Sequence, residues 1–319
     1  MSHLPIADYL RVIGRGKDGA RALSREQACD LMTRLLGGQL SDLQKGGFAL
    51  AMRIKGESPG ELAGFMDAVR ANESPFATEC GAACATAGNG PVVVLPTYNG
   101  ARKLPNLTPL LAFLLARENV PVLVHGITED PARTTSAAIF EALDVPEVKN
   151  ATRVVDRWAN RLPAFVSLQT LNPALAGLLN LRRELGVRNP GHTMAKLIAP
   201  WPGVLRVINH THPEYSGSLS AFLELTQATA LLLRGTEGEP VADARRLPAL
   251  KCFVNGQADD ALSVEQQTGS LKRLPELPAE IDATTTASLI RSMLAGELPV
   301  PDPIAEQVKC LMDLRQASS

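Results

Sequence analysis

Apolar residues recur at helical spacing through the first seventy positions of the chain. Ser24 with Gln27 forms a capping-box signature that predicts a helix start, and Gly37-Gly38 is expected to end that helix. Two further apolar stripes run from Leu43 to Ile54 and from Leu62 to Val69. None of these helices is polar all round, so each of them must bury a face.

From Ala82 onward the pattern changes to short apolar runs of strand length. The six runs are Val92–Leu95, Val120–Val124, Ala164–Ser167, Gly203–Ile208, Ala228–Leu233 and Cys252–Val254. Unalternated Val and Leu runs with helical patterns between them are typical of a mostly parallel sheet covered on both faces. The predicted fold class is α/β, with a small all-helical N-terminal domain and a larger domain in which helices flank a mostly parallel sheet.

Helical patterns return in the middle of the strand region, between the third and fourth runs, and again at the end of the chain. We predict that residues 1–75 form the helical domain and that residues 168–198 fold back onto it. Residues 76–167 and 199–319 are predicted to form the α/β domain. A length of 319 residues suits two such domains.

Composition narrows the class of protein. The chain is 45% hydrophobic but only 4% aromatic, so its core is expected to be aliphatic. No apolar run approaches the ~18 residues that span a bilayer, and the N-terminus lacks the basic-then-apolar block of a secretory signal. Five cysteines make an odd number without a paired framework. These features predict a cytoplasmic location.

Charge alone does not identify a partner. The net charge of −1 argues against a strongly basic nucleic-acid binder, although local clustering sets the field that a phosphate backbone meets. Arg153, Arg157 and Arg161 recur every fourth residue and would share one helical face, but such a stripe is more often a solvated surface. No nucleophile–base constellation and no complete set of metal ligands is recognisable, so no catalytic and no metal-binding residues are predicted.

Several segments in a common order resemble the anthranilate phosphoribosyltransferase family, which is related to the type III pyrimidine-nucleoside transferases. The segments are Leu23–Ala28, Gly38–Gln44, Arg53–Ser58, Leu181–Arg188 and Leu289–Glu297. The resemblance spans nearly the whole chain. It implies the two-domain fold of that family, a diphosphate-binding loop, a magnesium site and a homodimer contact on the helical domain.

The resemblance places remnants of a phosphate site in the larger domain. The family's Gly-Thr-Gly-Gly-Asp-Gly loop follows a strand, and its position is expected at residues 85–91. Gly88 and Gly90 are retained there, whereas Asn89 replaces the acid and Pro91 has no N–H to donate. This loop would otherwise cradle a diphosphate with backbone N–H groups.

Other phosphate ligands of the family are only partly kept. Asn106 and Thr108 occupy the places of its Asn-x-Ser-Thr segment. Its Lys-His-Gly-Asn-Arg segment retains only His125 and Gly126, so the cations are lost.

The resemblance aligns the family's magnesium-binding acids with Pro240 and Val241, and Glu237 and Glu239 lie nearby. A hard cation needs carboxylates at defined positions. Phosphoribosyl transfer depends on charge stabilisation, so we expect neither that reaction nor a cofactor.

The same pattern resembles the YbiB-type branch of the family, bacterial proteins that keep the fold and bind nucleic acid without known transferase activity. The expected function is therefore non-catalytic binding of DNA or RNA, with single strands favoured and little sequence specificity, by a homodimer. The residues expected to contact phosphates are Arg102, Lys103, Arg182, Arg183, Arg188 and Lys196.

Two alternatives stay open. One is an active pentosyltransferase with altered substrates, which would use magnesium. The other is a regulator that binds a small phosphorylated ligand in a cleft at Gly88–Gly90.

Overall fold

Two separate stretches of the chain build a helical unit, and the rest builds a sheet unit. In this computed structural model, which describes residues 4–72, 74–87, 90–269 and 275–318, the helical unit is Met1–Pro75 with Leu168–Pro200. The sheet unit is Phe76–Ser167 with Trp201–Ser319.

The elements follow one another in an order that separates early helices from later strands. In chain order they are α1 (Ile6–Ile13), α2 (Gly16–Gly19), α3 (Arg25–Leu36), α4 (Asp42–Lys55), α5 (Pro59–Ala71), α6 (Pro75–Ala87), β1 (Val93–Thr97), α7 (Thr108–Arg117), β2 (Val122–Gly126), α8 (Ser136–Ala142), α9 (Ala151–Ala159), β3 (Ala164–Ser167), α10 (Leu168–Leu171), α11 (Pro173–Asn180), α12 (Arg182–Leu185), α13 (Gly191–Leu197), β4 (Leu205–His210), α14 (Tyr215–Leu225), β5 (Ala230–Arg234), β6 (Leu250–Val254), β7 (Gln257–Val264), α15 (Ala283–Ala295) and α16 (Asp302–Ala317).

Serine caps set the starts of three helices in the helical unit. The side chains of Ser24, Ser41 and Ser58 each accept a hydrogen bond from the N–H three residues later. The Gln or Glu at that later position bonds back to the serine N–H, which completes a capping box in all three. Helix α3 ends before Gly37, as the sequence predicts.

Helix α5 buries its predicted apolar stripe inside the helical unit. Leu62, Phe65 and Val69 are all buried, and the Phe65 ring meets the edge of Phe48 with 5.9 Å between ring centroids. Helix α5 therefore buries its apolar face within the helical unit, as the sequence predicts.

Helix α4 carries apolar residues on two faces. Phe48 and Met52 are fully buried, whereas Leu43 is 87%, Leu50 44% and Ile54 70% exposed. The single stripe expected from Leu43 to Ile54 is thus divided, because side chains at unequal helical angles cannot all reach one core. The exposed half is the apolar face available for the predicted homodimer.

The sheet unit is built on seven strands in the order β3-β2-β1-β4-β5-β6-β7. The first five run parallel, and β6 and β7 are antiparallel. The predicted α/β class with a mostly parallel sheet is confirmed. Strand β7 was missed because its residues are largely polar and exposed at a sheet edge, so no apolar run marks it.

The core of this unit is aliphatic, as the composition predicts. The central strands β1 and β2 are buried along their whole length. Helix α7 and the C-terminal helix α16 pack against this core, and Phe113, Phe140 and Phe165 form a small aromatic group within it. Burial on both faces of the sheet leaves polar residues to collect where the strands end.

No helix in the described parts of the chain is both long and apolar enough to cross a membrane. The cytoplasmic location stays a prediction.

Candidate functional site

Polar side chains gather at the carboxyl ends of β1 and β2. Thr97 ends β1 and lies in register with Gly126, which ends β2. A Cβ atom at Gly126 would collide with the backbone oxygen of Thr97, so only glycine allows the two strand ends to approach this closely. The predicted Gly126 is therefore a structural requirement of the strand ends.

Glu239 is the centre of the buried polar network in this region. Its side chain is only 1% exposed, and Oε1 accepts hydrogen bonds from the N–H groups of Asn99 and Gly100, both at 2.7 Å. Oε2 accepts from the hydroxyl of Thr97 and, at 3.5 Å, from that of Thr108. The carboxyl group thus takes donors from both the strand end and the following loop.

Ser136 connects two predicted residues to this network. Its Oγ lies 2.6 Å from Thr97 Oγ1 and accepts a hydrogen bond from Asn106 Nδ2 at 2.8 Å. Asn106 Oδ1 in turn accepts from the N–H of Thr108 at 3.1 Å. The structure therefore brings Asn106 and Thr108 together, around a serine and a glutamate that the sequence reasoning did not assign to the site.

Glu237 accepts hydrogen bonds from a second set of backbone N–H groups in the same loop. Its Oε2 accepts from the consecutive N–H groups of Arg102, Lys103 and Leu104 at 2.8, 3.0 and 3.2 Å. Consecutive N–H groups that converge on one oxygen form a nest, an arrangement that binds anions. Glu237 adopts a left-handed backbone conformation with φ of 52°, which is uncommon for a residue other than glycine.

The hydrogen bonds to Glu237 set its ionisation. Burial alone would raise the pKa of this carboxyl, but the N–H groups of Lys103, Arg102 and Leu104 outweigh that effect and hold the pKa below its usual range. Glu237 is therefore a negative charge that the protein supplies to its own anion-binding loop.

The phosphate loop expected at residues 85–91 is not in a position to join this network. Helix α6 occupies residues 75–87, so no strand precedes the loop there. Gly88 and Asn89 lie outside the described residues, and Gly90 comes just before β1 begins at Val93. Because β1 runs from Val93 to Thr97, Gly90 lies at the opposite strand end from Asn106, Thr108 and His125. The loop that follows a strand is residues 98–107.

His125 lies on β2 and is fully buried. Its Nδ1 lies 2.7 Å from the hydroxyl of Tyr98, and its Nε2 has no hydrogen-bond partner among the described residues. Burial lowers the pKa of His125 to about 3 and raises the pKa of Tyr98 well above its usual value. Both groups are neutral at physiological pH, and a base of such low pKa is poorly matched to proton transfer there.

The predicted cations divide between the two units. Arg102 and Lys103 belong to the sheet unit, where their backbone N–H groups are fixed by Glu237 and their side chains are exposed. Arg182 and Arg183 lie on α12 in the helical unit.

Three of the helical-unit cations affect one buried histidine. His192 lies near the start of α13, and its Nδ1 is 3.2 Å from the Asn189 carbonyl oxygen. Burial, followed by the charges of Arg188, Arg182 and Lys196, lowers the pKa of His192 to about 4. All three cations therefore influence the same imidazole within the helical unit.

Comparison with known proteins identifies the family. Residues 7–72 match the helical bundle domain of a glycosyl transferase family. The chain is 36% identical over 310 residues to the uncharacterized protein YbiB of Escherichia coli (strain K12), covering 96% of this chain and 93% of that protein. It is 31% identical over 301 residues to the anthranilate phosphoribosyltransferase of Methanopyrus kandleri, covering 92% and 84%. The chain belongs to the anthranilate phosphoribosyltransferase-like glycosyltransferase family 3.

Solved structures of anthranilate phosphoribosyltransferases share the fold. The Thermus thermophilus enzyme superimposes with a TM-score of 0.67 at 22% identity, covering 94% of this chain and 86% of that one. The Saccharomyces cerevisiae enzyme, solved in complex with PRPP and Mg, gives 0.68 at 13% identity, covering 98% and 89%. The family and fold expected from the sequence are confirmed.

The residues at the family's magnesium position do not suit a hard cation. The Pro240 carbonyl oxygen accepts a hydrogen bond from Gln307 Nε2 at 2.9 Å, and Val241 is an apolar residue buried in the core. The carboxyl oxygens of Glu237 and Glu239 face N–H and O–H donors instead of an open coordination site. In the described part of the chain no group of three or more His, Cys, Asp or Glu side chains is placed to hold a metal ion.

Proposed function

We propose that this protein is a non-catalytic nucleic-acid-binding member of the anthranilate phosphoribosyltransferase-like family, with little sequence specificity and a preference for single strands. One observation carries the proposal. The anion-binding loop after β1 is filled by the protein's own Glu237 and Glu239, while the side chains of Arg102 and Lys103 on that same loop are exposed.

The filled loop argues against transfer of a phosphoribosyl group. A diphosphate would have to displace the carboxyl of Glu239 from a buried site with four donors, and would then lie close to two acidic side chains. The family's lysine is replaced by Val124, which is fully buried. Phosphoribosyl transfer depends on groups that stabilise the charge of the diphosphate, and this loop does not provide them.

The exposed cations support binding of a polyanion. The side chains of Arg102 and Lys103 are exposed, while the backbone N–H groups of residues 102–104 are already occupied by Glu237. In the helical unit, Arg188 and Lys196 are partly exposed, and their charges contribute to the lowered pKa of His192. A nucleic-acid backbone is long enough to contact several such groups at once, and affinity then accumulates with each neutralised phosphate.

An active pentosyltransferase remains the alternative proposal, supported by the 31% identity to the Methanopyrus kandleri enzyme. It requires that Glu237 and Glu239 leave the loop when substrate and magnesium arrive. Consumption of anthranilate that depends on phosphoribosyl diphosphate and magnesium, with kcat of order 1 s⁻¹ or more, would favour it.

A titration with a fluorescently labelled single-stranded oligonucleotide tests the proposal. Log K is expected to fall linearly with log salt, by ~0.7 for each neutralised phosphate. Lys103→Glu should weaken binding and reduce that slope. Lys309→Glu is the matched control, because it reverses one exposed lysine on α16, outside the predicted set.

Two results would overturn the proposal. The first is a wild-type protein that does not bind below ~10 μM at 50 mM salt, where several phosphate contacts should be strong. The second is a flat response to salt. If Lys103→Glu and Lys309→Glu weakened oligonucleotide binding equally, the loop would not be part of the binding surface.

A further inference from the structure

A cleft in the sheet unit lies beside α9, away from the loop after β1 in the sequence. Its volume is about 570 Å³, and it is lined by residues from the segment 146–162. This volume is within the range of sites that hold small organic ligands, roughly 300–1,000 Å³. None of its lining residues belongs to the set of cations proposed above.

The cleft combines a partly apolar lining with a row of cations. Val148 and Leu162 supply apolar surface, while Lys149, Arg153 and Arg157 supply three positive charges. Arg153 and Arg157 lie four residues apart on α9, so they are about 6 Å apart along the helix axis, and Lys149 precedes the helix by two residues. Successive phosphates of an extended nucleic-acid strand are separated by a similar distance.

These cations have no acidic partner among the described residues. No carboxylate oxygen lies within 4.0 Å of Lys149, Arg153 or Arg157 in the described parts of the chain. Like charges four residues apart on a helix destabilise it. Binding of an external anion would reduce the repulsion between these cations. This favours phosphate as the ligand.

The acidic residues of the cleft do not cancel this charge. Glu147 Oε1 accepts a hydrogen bond from the N–H of Ser167, at the end of β3, so this carboxyl is engaged with the edge strand. Asp156 lines the cleft but pairs with no cation in the described structure. Asn160 also lines the cleft and donates its side-chain N–H to the Asp156 carbonyl oxygen at 2.7 Å.

We propose that the cleft beside α9 is a second phosphate-binding site, in which Lys149, Arg153 and Arg157 contact successive phosphates of a nucleic-acid strand and the apolar lining receives part of a nucleotide. The proposal rests on the nucleic-acid-binding function proposed above and extends it to a surface with its own cations. A nucleic-acid strand and a free nucleotide share the phosphate chemistry, and the experiment separates them.

The chain offers a matched control on the same row. Arg161 follows Arg157 by four residues and is exposed, but it does not line the cleft. It lies beyond the end of α9, with a left-handed φ of 55°, so the expectation that it shares the helical face of Arg153 and Arg157 is wrong. Arg161→Glu changes the total charge as Arg157→Glu does, without changing the cleft.

The test is an anisotropy titration of a labelled single-stranded oligonucleotide against the full chain and its variants. Arg153→Glu/Arg157→Glu is expected to weaken binding about tenfold and to lower the salt slope by at least ~1.4, since two phosphate contacts are lost. Arg153→Gln/Arg157→Gln should also weaken binding, but by a smaller factor. Because this variant removes the charges without reversing them, it still tests the cleft if the charge-reversed protein misfolds. Arg161→Glu should change affinity less than threefold.

The outcomes separate the two proposals. If wild type binds the oligonucleotide and both double variants stay within twofold of it, the cleft is not a binding site while the general function stands. If Arg161→Glu weakened binding as strongly as Arg153→Glu/Arg157→Glu, that result would likewise contradict the cleft. If wild type binds no oligonucleotide, the proposed nucleic-acid-binding function itself is contradicted.

Calorimetry with a nucleoside monophosphate then decides whether the cleft binds a free nucleotide, which would replace the strand as its ligand.

Discussion

The loop after β1 and helix α9 both concentrate groups that attract anions, but they use them in opposite ways. In the loop, the N–H groups of Asn99 and Gly100 are bound by Glu239, and those of residues 102–104 are bound by Glu237. On α9, Arg153 and Arg157 meet no carboxylate within the described structure. The two regions belong to the same unit and differ in whether the anion comes from the chain itself.

The difference indicates how a transferase fold can change its role. An anion site that the chain fills with its own acids contributes to folding stability, because buried donors need partners. Cations without such partners contribute little to folding and remain available to a ligand. Substitution of the buried loop acid Glu239 should therefore change stability more than binding, whereas substitutions of the exposed cations should do the reverse.

The largest expected effect is that of Glu239→Ala on stability. The change leaves two buried N–H groups and two hydroxyls without their acceptor, and each such loss costs ~1–3 kcal/mol. We expect the free energy of unfolding, measured by urea denaturation, to fall by at least ~3 kcal/mol. Lys309→Ala on the surface serves as the control. A loss below ~1 kcal/mol would show that the network does not depend on this carboxyl.

Acid should destabilise the protein through its buried histidines. His192 has a folded pKa of about 4, below the unfolded value of 6.5, so the unfolded chain binds this proton first as pH falls. Its stabilising contribution is present above pH 6.5 and is lost as pH falls toward 4. The stabilising contribution of His125 is likewise lost as pH falls from 6.5 toward its folded pKa of about 3.

Urea denaturation between pH 7 and pH 4 measures this loss, which is ~1.4 kcal/mol per unit of pKa difference for each histidine. His192→Gln should reduce the slope of stability against pH. An unchanged slope in His192→Gln would contradict the assignment.

The apolar face of α4 predicts a homodimer. Leu43, Leu50 and Ile54 are exposed there, and a second copy of the chain would bury them. Leu43→Asp/Ile54→Asp should weaken association at least a hundredfold, since two apolar side chains worth ~1.5–3 kcal/mol each would be replaced by charges. Light scattering at micromolar concentration measures the mass. A monomeric wild type would refute this prediction.

The smallest expected effect is that of Glu237→Ala. This carboxyl is partly exposed, so its loss should cost ~1 kcal/mol of stability or less. Removing a negative charge beside Arg102 and Lys103 should also raise oligonucleotide affinity twofold to threefold, a change that anisotropy at low salt can detect. Reduced affinity would mean that Glu237 is needed to shape the loop.

The sequence predicts much of the fold because its signals are local. The predicted capping box at Ser24 starts a helix, and unalternated Val and Leu runs correspond to buried parallel strands. Strand β7 has neither signal, since a polar edge strand needs no apolar run.

The candidate site is less predictable because its contacts join distant parts of the chain. Glu239 bonds to Asn99, 140 residues away, and no local pattern specifies that pairing. The resemblance located Asn106 and Thr108 correctly within one network, but it placed the loop near Gly88 instead of after β1. The similarity of Gly-rich segments could not show which of them follows a strand.

One titration tests the central claim most directly. Binding of a labelled single-stranded oligonucleotide is measured at 50 mM salt, with and without 1 mM phosphoribosyl diphosphate and magnesium, at matched ionic strength so that screening is equal. Because Glu237 and Glu239 fill the loop, we predict tight, salt-dependent binding that phosphoribosyl diphosphate does not alter. Absence of oligonucleotide binding, or its displacement by phosphoribosyl diphosphate, would contradict the account.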